Sequence, residues 1–149
     1  LKIKTILSLN KRIMTKKEVN QIAYDVVSCA IEVHKILGPG LLESVYEACL
    51  EYELRLRGFD VECQRKVQVK YKEIILETDL RFDLLVNDCV IVELKAVQEI
   101  NPIEIAKLLS YMKLLKKPKG LIINFFTDKI INSTTPYVNE YFSALPEGD

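Results

Sequence analysis

The chain has 149 residues, about half of them apolar, with 21 basic and 21 acidic side chains and a net charge of zero. Those figures fit a folded domain with its own core and exclude a disordered chain. The charge balance excludes a broad nucleic-acid-binding field, though not a local basic patch, and no apolar run reaches the ~18 residues that would span a membrane.

Residues 1–14 mix basic and apolar side chains without the small-residue cleavage site of a secretory signal. They read as an N-terminal arm, suited to contact a second copy of the chain. Residues 15–149 read as one domain. Thr15 followed by Glu18 is a capping box. Val19, Ile22, Ala23, Val26, Val27, Ala30, Val33 and Leu37 then recur at helical spacing until Gly38 and Pro39. A second helix is predicted over residues 41–57, with Leu42, Val45, Tyr46, Cys49 and Leu56 as its apolar stripe and Gly58 closing it.

A strand-rich region follows. Residues 66–71 alternate as a half-buried strand does, residues 74–86 continue in extended form, and residues 89–96 (CVIVELKA) form the next strand across a turn at Asn87-Asp88. Pro102 opens a third helix with Ile105, Ala106, Leu109 and Met112 facing inward. Residues 121–126 return as a buried strand after this crossover, which suits parallel pairing. Residues 136–145 read as a short closing helix. The order is α-α-β-β-β-α-β-α, an α/β fold with helices covering a mixed sheet.

The chemistry concentrates in "DLLVNDCVIVELKA", residues 83–96. Strand side chains alternate, so Glu93 and Lys95 share a face while Val92 and Leu94 take the other. The turn decides whether Asp83 joins them. A two-residue turn pairs Val86 with Cys89 and sends Glu93 away from Asp83. A three-residue turn or bulge pairs Val86 with Val90 and sets Asp83 opposite Glu93. Two facing carboxylates need a cation or a proton between them. A hard divalent ion suits oxygen ligands, and a lysine beside it can serve a water or a phosphoryl oxygen. The same charges also suit the solvated face of a two-stranded ribbon, each pair worth about 1 kcal/mol or less.

This stretch resembles the D…ExK core of the PD-(D/E)xK nuclease superfamily. "GPGLLESVY", residues 38–46, resembles the signature of its GxxExxY branch, with Gly40, Glu43 and Tyr46 at the three named positions; "GLIINF", residues 120–125, is similar to the closing strand. The resemblance implies a restriction-endonuclease-like core and metal-dependent hydrolysis of nucleic acid, DNA before RNA. Asp83 and Glu93 would hold Mg²⁺ or Mn²⁺, Lys95 would serve the attacking water, and Glu43 would be a further acid. Tyr46 and Tyr111 would support the site. One departure stands out: Lys107 occupies the place where members usually carry glutamine, and Glu104 the place of a frequent histidine. Lysine donates hydrogen bonds but cannot accept them, so a weakly active or inactive nuclease fold that binds nucleic acid or protein is the alternative.

Other residues carry plainer readings. His34, the one histidine, sits near the first helix's stripe and suits packing or the surface; histidine triads and HExxH sites are excluded by count. Gly38-Pro39-Gly40 lacks a phosphate-loop pattern and reads as a sharp reversal that aims Glu43. Lys113, Lys116, Lys117 and Lys119 could form a basic rim for phosphates or simply a solvated helix end. Cys29, Cys49, Cys63 and Cys89 form no CxxC pair and read as buried thiols in a reducing cytoplasm. No membrane contact is expected.

Overall fold

In this computed structural model, which describes residues 13–149, helix α1 (Lys16–Leu37) starts where the capping box sets it. The Thr15 hydroxyl accepts from the Glu18 N–H and donates to its carboxylate, both at 3.1 Å. The expected arm lies almost wholly outside the described residues. Helix α2 (Glu43–Leu56) buries Tyr46, Leu50 and Leu54. The stripe expected from Leu42, Val45 and Leu56 is exposed instead. Leu42 is the N-cap and lies outside the helix proper, and the 46-50-54 ridge is the buried one.

Five strands make the main sheet in the order β1-β4-β5-β6-β7. They are β1 (Val61–Cys63), β4 (Leu84–Val86), β5 (Val90–Lys95), β6 (Lys119–Asn124) and β7 (Thr134–Val138). Only β5 and β6 pair in parallel, joined by helix α3 (Pro102–Leu114) as the crossover; the other pairs are antiparallel. Strands β2 (Val69–Tyr71) and β3 (Ile74–Leu76) form a separate two-stranded ribbon. The fold is therefore α/β, a mixed sheet with flanking helices.

Several elements differ from expectation. The region expected as one extended run over 74–86 is broken into β3 and β4. Strand β1 is a three-residue piece too short to show alternation. The closing helix α4 is only Glu140–Ser143, because residues 134–138 pair with β6 as an edge strand. Pro136 suggested a helix start, yet an edge strand also tolerates it. Helix α3 buries Leu108, Tyr111 and Met112, while Ala106 and Leu109 face out.

The sheet separates two apolar layers. Leu84, Val86, Val90, Val92, Leu94, Leu121 and Ile123 pack against α1 and α2. Leu85, Ile91 and Ile122 turn the other way, toward Leu108, Tyr111 and Met112 of α3. Gly120 makes the second contact tight: a Cβ there would sit 2.7 Å from Met112 Sδ and 2.8 Å from Leu108 Cδ1. No helix among the described residues is long and apolar enough to cross a membrane. All four cysteines are free thiols, and burial pushes Cys29 and Cys89 up to about 11 and Cys63 up to about 12.

Candidate active site

The β4–β5 hairpin has the parity that brings the acids together. Val86 pairs with Val90, so Cys89 is an extra residue in the turn. Asn87 and Asp88 both lie in the left-handed region, at φ 48° and 57°, and the Cys89 N–H returns to the Val86 carbonyl at 3.1 Å. Asn87 also anchors the turn, accepting from the Asp60 N–H through its side chain at 2.9 Å. Continuing the register one step beyond β4 sets Asp83 opposite Glu93.

Their contacts are direct. The Leu94 N–H donates to Asp83 Oδ2 at 2.8 Å, and the Asp83 N–H donates to Glu93 Oε1 at 3.2 Å. Glu93 is only 9% exposed. Burial above all, then the Asp83 charge and the hydrogen bond between the two carboxyls, push the Glu93 pKa up to about 9. Glu93 therefore holds its proton more tightly than an ordinary carboxyl.

Sequence reasoning missed a third carboxyl, Glu47. It lies one turn after Glu43 on α2, and that i,i+4 spacing was its only signal. Gln64 ties it to the site: its amide donates to Glu47 Oε1 at 2.6 Å and to Asp83 Oδ1 at 3.0 Å. Burial first, and the neighbouring Asp83 carboxylate, push Glu47 up to about 7 against the lowering effect of the Gln64 bond. Asn124 was missed too. It ends β6 beside Lys95, is 8% exposed, and exchanges hydrogen bonds with the Val97 backbone at 3.1 and 2.8 Å. That clamp, with the Phe125 N–H on the Lys95 carbonyl at 2.7 Å, fixes the end of β5.

Lys95 shares the Glu93 face. Its Nζ meets Glu104 Oε2, in the first turn of α3, at 3.0 Å; Lys107 Nζ approaches the same oxygen at 3.5 Å. Desolvation pulls the Lys95 pKa down, but the Glu104 hydrogen bond and the charges of Glu43, Glu104 and Asp83 outweigh it and hold the ammonium above its ordinary value. The same two lysines outweigh burial at Glu104 and hold its carboxyl below the usual range. Arg81 forms an isolated antiparallel backbone bridge with Lys66.

Glu43 is aimed by the loop before it. The Tyr46 hydroxyl donates to the Gly38 carbonyl at 2.5 Å and accepts from the Leu41 N–H at 3.1 Å, while its ring stacks on Phe125 at 4.4 Å. Gly38 and Gly40, at φ 71° and 96°, supply the turn. Tyr46 is thus the fastener of this loop. Tyr111 is buried under the site, and desolvation raises its hydroxyl pKa. His34 bonds the Thr127 carbonyl at 2.8 Å.

The four rim lysines do not lie together. Lys113 and Lys116 face a groove beside the β2–β3 ribbon. Lys117 pairs with Asp88 at the hairpin turn at 2.8 Å. Lys119 is on the opposite sheet face, bonded to Asn20 at 2.8 Å, and burial lowers its pKa.

Among the described residues no group of three or more His, Cys, Asp or Glu side chains is arranged to hold a metal ion. The Asp83–Glu93 pair still offers the right donor chemistry. Mg²⁺ ordinarily takes one or two carboxylates and fills its octahedron with water and substrate phosphate oxygens. The buried Glu93 carboxyl, its pKa raised beside the half-buried Asp83, marks a place where positive charge is favoured.

A family model described as the PD-(D/E)XK nuclease superfamily matches residues 20–134. That span runs from within α1 through β6 and includes every candidate residue of the hairpin. No curated protein and no solved structure matches the chain.

Proposed function

The chain belongs to the PD-(D/E)XK nuclease superfamily, and we propose that it hydrolyses phosphodiester bonds in nucleic acid, DNA in the first instance, with Mg²⁺ or Mn²⁺. One observation carries the reading: Asp83 faces Glu93 across the hairpin, with Lys95 two residues on and on the same face.

Asp83 and Glu93 would hold the ion, which when bound lowers the pKa of a coordinated water and draws charge from the phosphoryl oxygens. Lys95 orients the attacking water through its ammonium protons or stabilises charge on the phosphoryl group. Glu104 holds that ammonium in place. Glu43 adds a further acid, close enough for its charge to favour the protonated Lys95. Tyr46 keeps Glu43 in position by closing the glycine loop. Gly40, Glu43 and Tyr46 together support assignment to the GxxExxY branch.

A second reading rests on Lys95 itself. Its Nζ is already paired with Glu104, and Lys107 replaces a neutral side chain beside that pair. If substrate does not loosen this pair, the protein binds nucleic acid and turns it over poorly.

Cleavage of single-stranded, duplex and branched DNA and of RNA, with Mg²⁺ or Mn²⁺, separates the readings. Metal-dependent cleavage lost in Asp83→Ala and in Lys95→Ala supports hydrolysis at this hairpin. Cleavage unchanged in both variants, or none by the folded wild type, refutes it.

A further inference from the structure

Beside α3, on the same side of the sheet as the candidate site, runs a groove of about 730 Å³ between the β2–β3 ribbon and the end of the helix. Its walls carry Arg65, Lys66, Lys70, Lys113 and Lys116, against one lining carboxylate, Glu77. The chain as a whole has no net charge, so this concentration is local. Arg65 pairs with Glu62 at 2.6 Å and Lys66 with Asp79 at 3.3 Å, while Gln68 engages Glu77 at 2.6 Å. Among the described residues no carboxylate pairs with Lys70, Lys113 or Lys116, which leaves three cations facing solvent across one cleft.

The floor is apolar. Ile75 and Leu114 line it and are 62% and 38% exposed, and the half-buried Tyr141 flanks it. Cationic walls over an apolar and aromatic floor suit a ligand with a phosphate edge and a flat apolar face. A duplex keeps its base faces stacked inside the helix; a single strand presents both phosphates and unstacked base faces.

Two segments of the chain serve both the groove and the site. Arg65 and Lys66 follow directly on Gln64, which bonds Asp83. Along α3, Glu104 holds Lys95 at the first turn, and Lys113 lies nine residues later, roughly 14 Å on at helical rise. We propose that this groove binds a single-stranded segment of nucleic acid and leads it to the Asp83–Glu93–Lys95 site. The inference rests on the phosphodiester reading of that site. It is tested without metal, so failure of binding and failure of cleavage are read separately.

The probe is a fluorescein-labelled oligothymidylate of roughly a dozen nucleotides, followed by anisotropy in EDTA across a salt series. The Lys113→Glu/Lys116→Glu variant should bind about tenfold or more weakly. Its slope of log affinity against log salt should shrink by about 1.4, two phosphate contacts at about 0.7 each for a single strand. Lys70→Glu should weaken binding in the same direction, and Lys35→Glu, on α1, should not. If charge reversal unfolds the protein, judged by circular dichroism, the Lys113→Gln/Lys116→Gln variant is read instead. No salt-dependent binding by wild type, wild-type affinity in the folded groove variants, or equal loss in Lys35→Glu overturns the proposal. So does stronger competition by duplex or by polyglutamate than by unlabelled strand.

Discussion

Glu93 is a weak acid by its surroundings rather than by its chemistry. Burial and the Asp83 charge make its proton hard to remove, so a divalent cation held there, as proposed, would have to displace that proton. Lys95 stands in the reverse position, its proton held in place chiefly by Glu104. Replacing Glu104 with glutamine removes that charge and lets Lys95 deprotonate at lower pH. The alkaline limb of the cleavage profile should then shift to lower pH, with kcat falling roughly three- to tenfold and KM little changed. An unchanged profile would show that Glu104 does not act through Lys95. At this scale Asp83, Glu93 and Lys95 were legible because strand period fixes which side chains share a face, once the turn is allowed a third residue. Glu47 was not, because its i,i+4 spacing from Glu43 does not reveal the Gln64 bridge that ties it to Asp83.

At the scale of elements, the site depends on two close approaches. Tyr46 closes the glycine loop with a hydroxyl that is both donor and acceptor. Tyr46→Phe leaves the ring in its stack on Phe125 but orphans the Gly38 carbonyl and the Leu41 N–H. A loss of about 1–2 kcal/mol is expected in urea denaturation, with cleavage falling as Glu43 loses its aim. Gly120 lets α3 lie close on β6, so Gly120→Ala should cost about 1–3 kcal/mol through displacement of Met112 and Leu108. Loss of neither stability nor activity in these two variants would remove the elements' role in positioning the site. The helices α1 and α2 and the strand β5 could be read because each is long or strongly patterned. β1 is too short to show a period, and β7 carries a proline that argues for helix entry as readily as for an edge strand. The apolar stripes of α2 and α3 were right in part: Tyr46 and Met112 are buried and Cys49 and Ile105 pack at the core's edge, while exposed aliphatic residues beside the true ridge were read into the same face.

For the whole molecule, the site links stability to pH. The folded pKa of Glu93 is about 9, and that of Glu47 about 7, both above the ordinary carboxylate value expected of the unfolded chain. Between those limits the folded state binds more protons than the unfolded one, so stability is full at low pH and is lost as pH rises toward 9. In EDTA the melting temperature should therefore fall between pH 5.5 and pH 9, and Glu93→Gln should flatten that fall. If Asp83 and Glu93 hold Mg²⁺ as proposed, the ion takes the deprotonated Glu93, so it should raise the melting temperature more at pH 8.5 than at pH 5.5. A melting temperature that rises with pH in EDTA would contradict the buried-proton account.

The direct test of that account is a calorimetric titration of Mn²⁺ at pH 7.5, repeated in buffers of different ionisation enthalpy. The account predicts binding with release of about one proton per ion, and loss of both binding and proton release in Asp83→Ala and Glu93→Ala. Binding that releases no proton, or that survives both substitutions, would place the cation elsewhere and contradict the assignment of Asp83 and Glu93 as its ligands.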